Sequence, residues 1–304
     1  ISIKIIAADA NKLASGLYSA NKSYILPKYN STSFKEELAK VFLDEKIDYY
    51  IPGTDYELEF SAQNKKIFKK KYGIKTIVSP LSTIKLANDK YLTFQFLKSN
   101  NFSHPDTYLK KNVNINELNF PIIIKPITGS RSIGVKKIDS IVDLKNNLLS
   151  SNSIIIQEYV GDSNEEYTCT VVKYGEILSE VMIFRRELRS GDTYKAKPIK
   201  SKKISEYISK VAKKLDFHGP CNFQLRIDEN DVPKIFEINC RFSGTTPFCS
   251  QVGFNPLEFY LKIDLKIDYK YKVDYNTQVL RYWSEVLIDD KTIIELNDKK
   301  NIRP

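Results

Sequence analysis

The stretch Phe120–Val135, FPIIIKPITGSRSIGV, puts a lysine inside an apolar run and ends that run in a Gly/Ser-rich loop. Ile122, Ile123 and Ile124 predict a buried strand, and Lys125 at its end must either snorkel to solvent or meet an anion. Gly129 and Gly134 bracket Ser130, Arg131 and Ser132 before the next strand-like run. Glycine lets backbone amides approach an anion closely, and hydroxyls add donors. The loop is not a Walker A loop, lacking Gly-Lys-Ser/Thr, and not a dinucleotide fingerprint. A flexible hairpin accounts for the loop equally well. With Lys125 beside it, the loop could hold the α- and β-phosphates of a nucleotide.

Around this segment the chain alternates strand and helix patterns, the mark of an α/β (α+β) protein. Lys4–Asp9 reads as a buried strand, Phe34–Lys46 as a helix, and Ile47–Gly53 as a strand. Asp55–Tyr72 follows as a helix and Lys75–Val78 as a strand, with Pro80 at the boundary. The chain opens directly on a strand, at Ile1 rather than Met, so an earlier strand and helix are expected to be missing. Ser82–Asn100 predicts a helix or helix pair, and Val142–Leu149 another. Two alternating strands are expected across Glu166–Phe184, and an amphipathic helix over Lys203–Leu215. A hairpin joins Phe223–Ile227 to Lys234–Asn239. Three lobes follow: residues 1–82, residues 83–158 with a lid, and residues 159–290, with 291–304 as a polar tail.

Within the last hairpin, Glu237 and Asn239 are two residues apart, so both side chains leave one face. With Gln224 on the partner strand they offer oxygen ligands for magnesium bridging phosphates. Arg241 continues the same alternation and could hold a carboxylate or a transferring phosphoryl group. A plain solvent-facing strand face gives the same pattern. Upstream, Gln157–Val160 ends an apolar strand where backbone groups could read a base, and Glu166 could accept from ribose hydroxyls. Arg185, Arg186 and Arg189 are candidates for substrate contact, with a solvated basic loop as the alternative. His104 and His218 lie beside Pro or Gly-Pro with no nucleophile pattern around them, and read as structural.

Composition removes other classes. No apolar run approaches the ~20 residues needed to span a bilayer, and the start does not resemble a signal peptide. Cys169, Cys221, Cys240 and Cys249 form no CxxC pair and no His accompanies them, so they read as reduced thiols in a cytoplasmic protein, not a zinc site. The net charge of +10 comes from scattered lysines without a nucleic-acid motif, and reads as a solvated surface that also attracts anionic substrates.

Five collinear stretches resemble the ATP-grasp superfamily, in particular one synthetase unit of the carbamoyl-phosphate synthase large subunit. They are NDKYLTFQFLKSNNFSHPDTY, FPIIIKPITGSRSIGV, IIIQEYVGDSNEEYT, RSGDTYKAKP and GPCNFQLRIDENDVPKIFEINCRFSGTTPF. The resemblance implies an ATP-grasp fold behind an N-terminal α/β domain. It also implies a ligase that turns a carboxylate into an acyl phosphate with ATP and hands it to an amine or similar nucleophile. Lys90 and Lys125 look like its phosphate lysines, and Gly129, Ser130, Ser132 and Gly134 like its mobile loop. Glu158, Tyr159 and Val160 look like its adenine hinge, with Glu166 the ribose acceptor. Gln224, Glu237 and Asn239 look like its magnesium ligands, for two ions that manganese could replace, and Arg241 like its anion-stabilising arginine. Arg189-Ser190-Gly191-Asp192 stands where carbamoyl-phosphate synthase usually has His-Ser-Gly-Asp, and Gly244 where it carries a second arginine. These departures predict a carboxylate larger than bicarbonate, such as an amino acid or sugar acid. Partners are then a small-molecule carboxylate and an amine or other nucleophile, with no nucleic acid and no membrane, and with a homodimer allowed. The alternatives are an ATP-grasp phosphotransferase or carboxylase-like enzyme, or an inactive nucleotide-binding relative.

Overall fold

Short strands separated by amphipathic helices divide the chain into two compact units, Ile1–Ile77 with Tyr282–Pro304, and Val78–Arg281. The computed structural model describes residues 1–129, 131–147, 153–161 and 165–303.

In the first unit, helix Phe34–Asp44 turns Phe34, Leu38, Val41 and Phe42 inward, as their spacing requires. Helix Leu58–Tyr72 adds Phe68, and Phe42 and Phe68 meet edge-on at 5.2 Å. Strand Ile6–Asp9 pairs in parallel with Lys22–Ile25, a strand that the apolar pattern alone does not announce. Ile6–Asp9 is half-buried to exposed rather than buried, because it lies at the sheet edge. The polar tail expected at 291–304 is instead structured. Asp289 caps helix Asp290–Lys299, and Asn301–Ile302 pairs antiparallel with Lys22–Ile25. Leu296 and Ile302 bury against Leu17, an apolar contact too sparse to stand out among the charges around it.

In the second unit, helices Leu81–Asn88 and Lys90–Ser99 meet at Asp89, whose carboxylate accepts from the amides of Tyr91 and Leu92 at 2.8 and 2.9 Å. Ala87 and Leu97 pack in one core with Cys169, Phe223 and Ile238, so these helices pack on the large sheet, while Lys90 bonds to Ile127 and Gly129 beyond it. The segment expected to form a lid carries a four-stranded sheet in the order Thr107–Leu109, Ile154–Glu158, Ile122–Pro126, Lys136–Ile138. Ile122, Ile124, Ile138, Leu144 and Ile156 form its own small core.

The larger sheet has seven strands among the described residues. Its central strand is Glu166–Tyr174, flanked by Gly219–Ile227 and Met182–Arg189. Glu166–Val172 is buried continuously rather than alternately, because both faces of this central strand are covered. Helix Lys202–Lys214 covers one face through Ile204, Ile208 and Val211. A strand at Asp192–Pro198 also joins the sheet, beyond the two strands expected there. All four cysteines are buried free thiols. His218 meets the Tyr260 hydroxyl through Nε2 at 2.7 Å, and His104 lies edge-on to Phe94. Among the described residues no helix is long and apolar enough to cross a membrane.

Candidate functional site

Alternation along the strands of the large sheet sends Phe223 and Leu225 into the helix-covered core and leaves Asn222, Gln224 and Arg226 on the opposite face. Gln224 stands opposite Glu237, and Asn222 opposite Asn239. The register shifts in this pair between Gln224 and Leu225, and the shift resolves a parity conflict in strand Pro233–Asn239. Ile235 and Ile238 are three apart yet both reach the core, because Phe236 is the extra residue of a bulge. The bulge turns Phe236 toward the lid. Its carbonyl accepts from Lys125 Nζ at 3.4 Å, and its ring lies 5.2 Å from the same atom.

Lys125 is only 5% exposed. Burial pushes its ammonium down to about 8, a fall that the charge of Glu237 partly offsets. Lys90, also buried, donates through Nζ to the carbonyl of Gly129 at 2.9 Å and through its backbone to Ile127. The described part of the loop runs through left-handed backbone at Gly129, Arg131, Ser132 and Gly134. Gly191 lies under this loop with φ +80, and a Cβ there would stand 2.1 Å from the Arg131 carbonyl oxygen. Ser130 lies outside the described residues, as do Leu148 and Leu149 of the helix expected over Val142–Leu149, whose described part is Ile141–Asn147.

One cavity gathers Lys90, Lys125, Gly129 and Ser132 from the lid side and Gln224 and Glu237 from the sheet, with Glu158–Val160 and Glu166 between them. Gly134 does not line it but packs on Pro126, where a Cβ would meet Cγ at 3.0 Å. The Asn239 amide is tied to Glu237 Oε1 at 2.9 Å, which orients the carboxylate. Glu158 is anchored from both ends. Its backbone amide donates to the Asp106 carbonyl, and its carboxylate accepts from Lys234 at 2.7 Å. Lys234 is held charged by Glu158 and Asp228, which together outweigh its partial burial.

The three arginines have different fates. Arg186, expected to contact substrate, is 8% exposed, and its donors go to Glu166, Gln224 and Thr193. It faces the cavity as a strut of the sheet. Arg189 is exposed, with its guanidinium 5.4 Å from the Tyr194 ring, and does not line the cavity. Arg241 follows Cys240, which returns to the core beside Ile238, so the alternation persists, but Arg241 does not line the cavity. Its amide turns back to the Asn239 carbonyl at 3.0 Å, and its guanidinium donates to the Phe242 carbonyl. Sequence reasoning passed over Arg226, Lys234 and Phe236. Period two from Gln224 picks out Arg226, whereas no local signal announces the bulge that brings in Phe236.

Glu237 is the only carboxylate among Gln224, Glu237 and Asn239, and one lone pair of the Gln224 carbonyl is taken by Arg186 at 2.8 Å. Among the described residues no cluster of three His, Cys, Asp or Glu could cage a metal. The set fits a hard cation that takes one or two protein oxygens and fills its remaining positions with phosphate oxygens and water.

A family profile described as "ATP-grasp in the biosynthetic pathway with Ter operon" matches residues 150–285, and one described as "PylC-like, N-terminal domain" matches residues 1–77. The chain is 26% identical over 247 residues to the carbamoyl phosphate synthase arginine-specific large chain of Bacillus subtilis, covering 73% of this chain and 23% of that protein. It belongs to the ATP-grasp superfamily. The ATP-grasp fold recurs in N5-carboxyaminoimidazole synthetase from Staphylococcus aureus complexed with ADP, with TM-score 0.70 and 19% identity over 90% of this chain and 74% of that one. L-amino acid ligase from Bacillus licheniformis shares it, with TM-score 0.61 and 16% identity over 80% of this chain and 63% of that one. The chain thus spans about a quarter of the length of the curated relative it matches.

Proposed function

We propose that this ATP-grasp chain is an enzyme that uses ATP to activate a small-molecule carboxylate and transfers the acyl group to an amine or similar nucleophile. The observation that carries this reading is the single cavity in which Lys90 and Lys125 face Glu237 across the two sheets. Two buried ammonium groups suit a polyphosphate, and Glu237 with Asn239 would hold magnesium, with Gln224 alongside. Magnesium would supply positive charge to the phosphate oxygens. Glu158–Val160 would seat the base and Glu166 the sugar.

In the first step a carboxylate oxygen attacks the γ-phosphorus in line, the bond to the β,γ-bridging oxygen breaks, and ADP leaves with that electron pair. In the second the amine nitrogen attacks the acyl carbon, phosphate departs with the C–O electron pair, and the amine releases a proton. Lys90 and Lys125 would hold the phosphates in position, and the loop from Gly129 would exclude water from the acyl phosphate. Arg189 and Arg241 lie outside the cavity and would serve the side where carboxylate and amine enter.

Calorimetry with ATP and magnesium, on this chain and on Glu237→Ala, tests the reading. The chain should bind ATP, and the variant should lose magnesium dependence. ADP release can then be screened across pairs of carboxylates and amines. Absence of any nucleotide binding would overturn the proposal.

A further inference from the structure

Glu166 begins the central strand of the large sheet and stands directly opposite Arg186 on one neighbour and Arg226 on the other. It is 8% exposed. Arg186 gives Oε1 two donors, Nε at 3.1 Å and Nη2 at 2.6 Å, and Arg226 gives Nη2 to Oε2 at 3.1 Å. A carboxylate offers about four lone-pair positions. Three are therefore filled by arginine, and one position, on Oε2, is left on a residue that lines the cavity.

Arg226 has a second attachment. Its guanidinium lies 5.3 Å from the Tyr159 ring, and Nη1 reaches the Val160 carbonyl at 3.5 Å. Its neighbour Ile227 takes part too. A Cβ on Gly161, which has φ +62, would stand 2.2 Å from the Ile227 carbonyl oxygen, so only glycine lets the two backbones approach this closely. The Tyr159–Gly161 segment and Glu166 are thus held by two consecutive residues of one strand, Arg226 and Ile227.

We infer that Arg226 is a positioning residue which, together with Arg186, leaves Glu166 able to accept from one sugar hydroxyl only, so that the site reads a single hydroxyl of a ribonucleotide. The inference rests on the nucleotide reading of the cavity. With Oε1 saturated and Oε2 half-occupied, Glu166 has no second position to offer a vicinal diol. The Arg226 link to Val160 sets where that position lies relative to the segment proposed to seat the base.

The test is calorimetric, on the full chain with magnesium, using ATP, 2′-deoxy-ATP and 3′-deoxy-ATP. One deoxy analogue should bind about tenfold more weakly than ATP, the scale of one hydrogen bond to a charged acceptor, and the other within about twofold. Equal losses for both analogues, or no loss for either, would overturn the inference while leaving ATP binding intact. Failure of ATP itself to bind would instead bring down the nucleotide reading beneath it. Arg226→Met vacates a second position on Oε2, so the tolerated analogue should now also weaken relative to ATP, while Arg226→Lys keeps the wild-type pattern. If Arg226→Met weakens all three nucleotides in equal proportion, Arg226 is merely structural. Ratios within one variant are unaffected by a general loss of stability.

Discussion

On the lid sheet, Lys125 is buried with a 3.4 Å carbonyl contact and the face of a phenyl ring for company, whereas on the large sheet Glu166 is buried between two arginines that fill most of its acceptor positions. The two groups are nearly equally hidden, at 5% and 8% exposed. Their surroundings handle the desolvation of charge differently. A buried ion without a close counter-ion lowers the stability of the empty fold and gains when an anion arrives. A buried ion already paired costs little further, but losing one partner strands the others. One wall of the cavity is thus poised for a ligand, and the other is built as a rigid frame for it.

The comparison breaks most visibly at the paired wall. Glu166→Ala should cost about 3–5 kcal/mol in a urea melt, since Arg186 and Arg226 would remain without their carboxylate. A loss below about 1 kcal/mol would mean the cluster is not the frame described here.

At the other wall the sign reverses. Lys125→Met should stabilise the ligand-free chain at pH 7 by about 2–3 kcal/mol while weakening ATP binding, because the folded ammonium titrates near 8 rather than 10.5. The unfolded chain holds this proton more tightly than the folded one between pH 8 and 10.5. The Lys125 contribution to stability therefore rises with pH across that window, and melts of the variant should lack that rise. Phosphate binding needs the ammonium form, so ATP affinity should be flat below pH 8 and fall by up to about tenfold per unit above it, in the wild type alone. A variant less stable than wild type at pH 7 would show that Lys125 is satisfied in the empty fold.

The smallest effect is expected where the lid loop touches the large sheet. Gly191→Ala would place a methyl group against the Arg131 carbonyl at a positive φ, and should cost about 1–2 kcal/mol in thermal melts with a few-fold loss of ATP affinity. Unchanged affinity would show that this contact does not help hold the loop over the cavity.

Much of this could be read before folding. Lys125 announces itself as a cation in an apolar strand, and Glu237 and Asn239 as neighbours on one face, because both depend on strand periodicity over a few residues. The turn residues announce the hairpin, but without the bulge its register would set Gln224 opposite Phe236, and only the bulge brings Glu237 there. The partners of Glu166 could not be read this way. Arg186 and Arg226 lie 20 and 60 residues away, and only strand order and register place them on either side of it. Arg241 keeps the alternation expected of it, since Cys240 returns to the core beside Ile238, but strand period alone does not say which residues reach the cavity, and Arg241 does not line it. The polar segment 291–304 reads as a tail because its few aliphatic residues stand among charges, although Leu296 and Ile302 suffice once Leu17 offers them a surface.

The amino-acid sequence by itself determined the family, the succession of strands and helices around the lid, and the residue types able to meet phosphate and metal, since each is written in local period or in collinear motifs. Tertiary structure alone decided which charges stay uncompensated. Whether a buried lysine or carboxylate is paired depends on strands brought together from distant parts of the chain, and on a one-residue bulge that turns Phe236, rather than a carboxylate, toward Lys125.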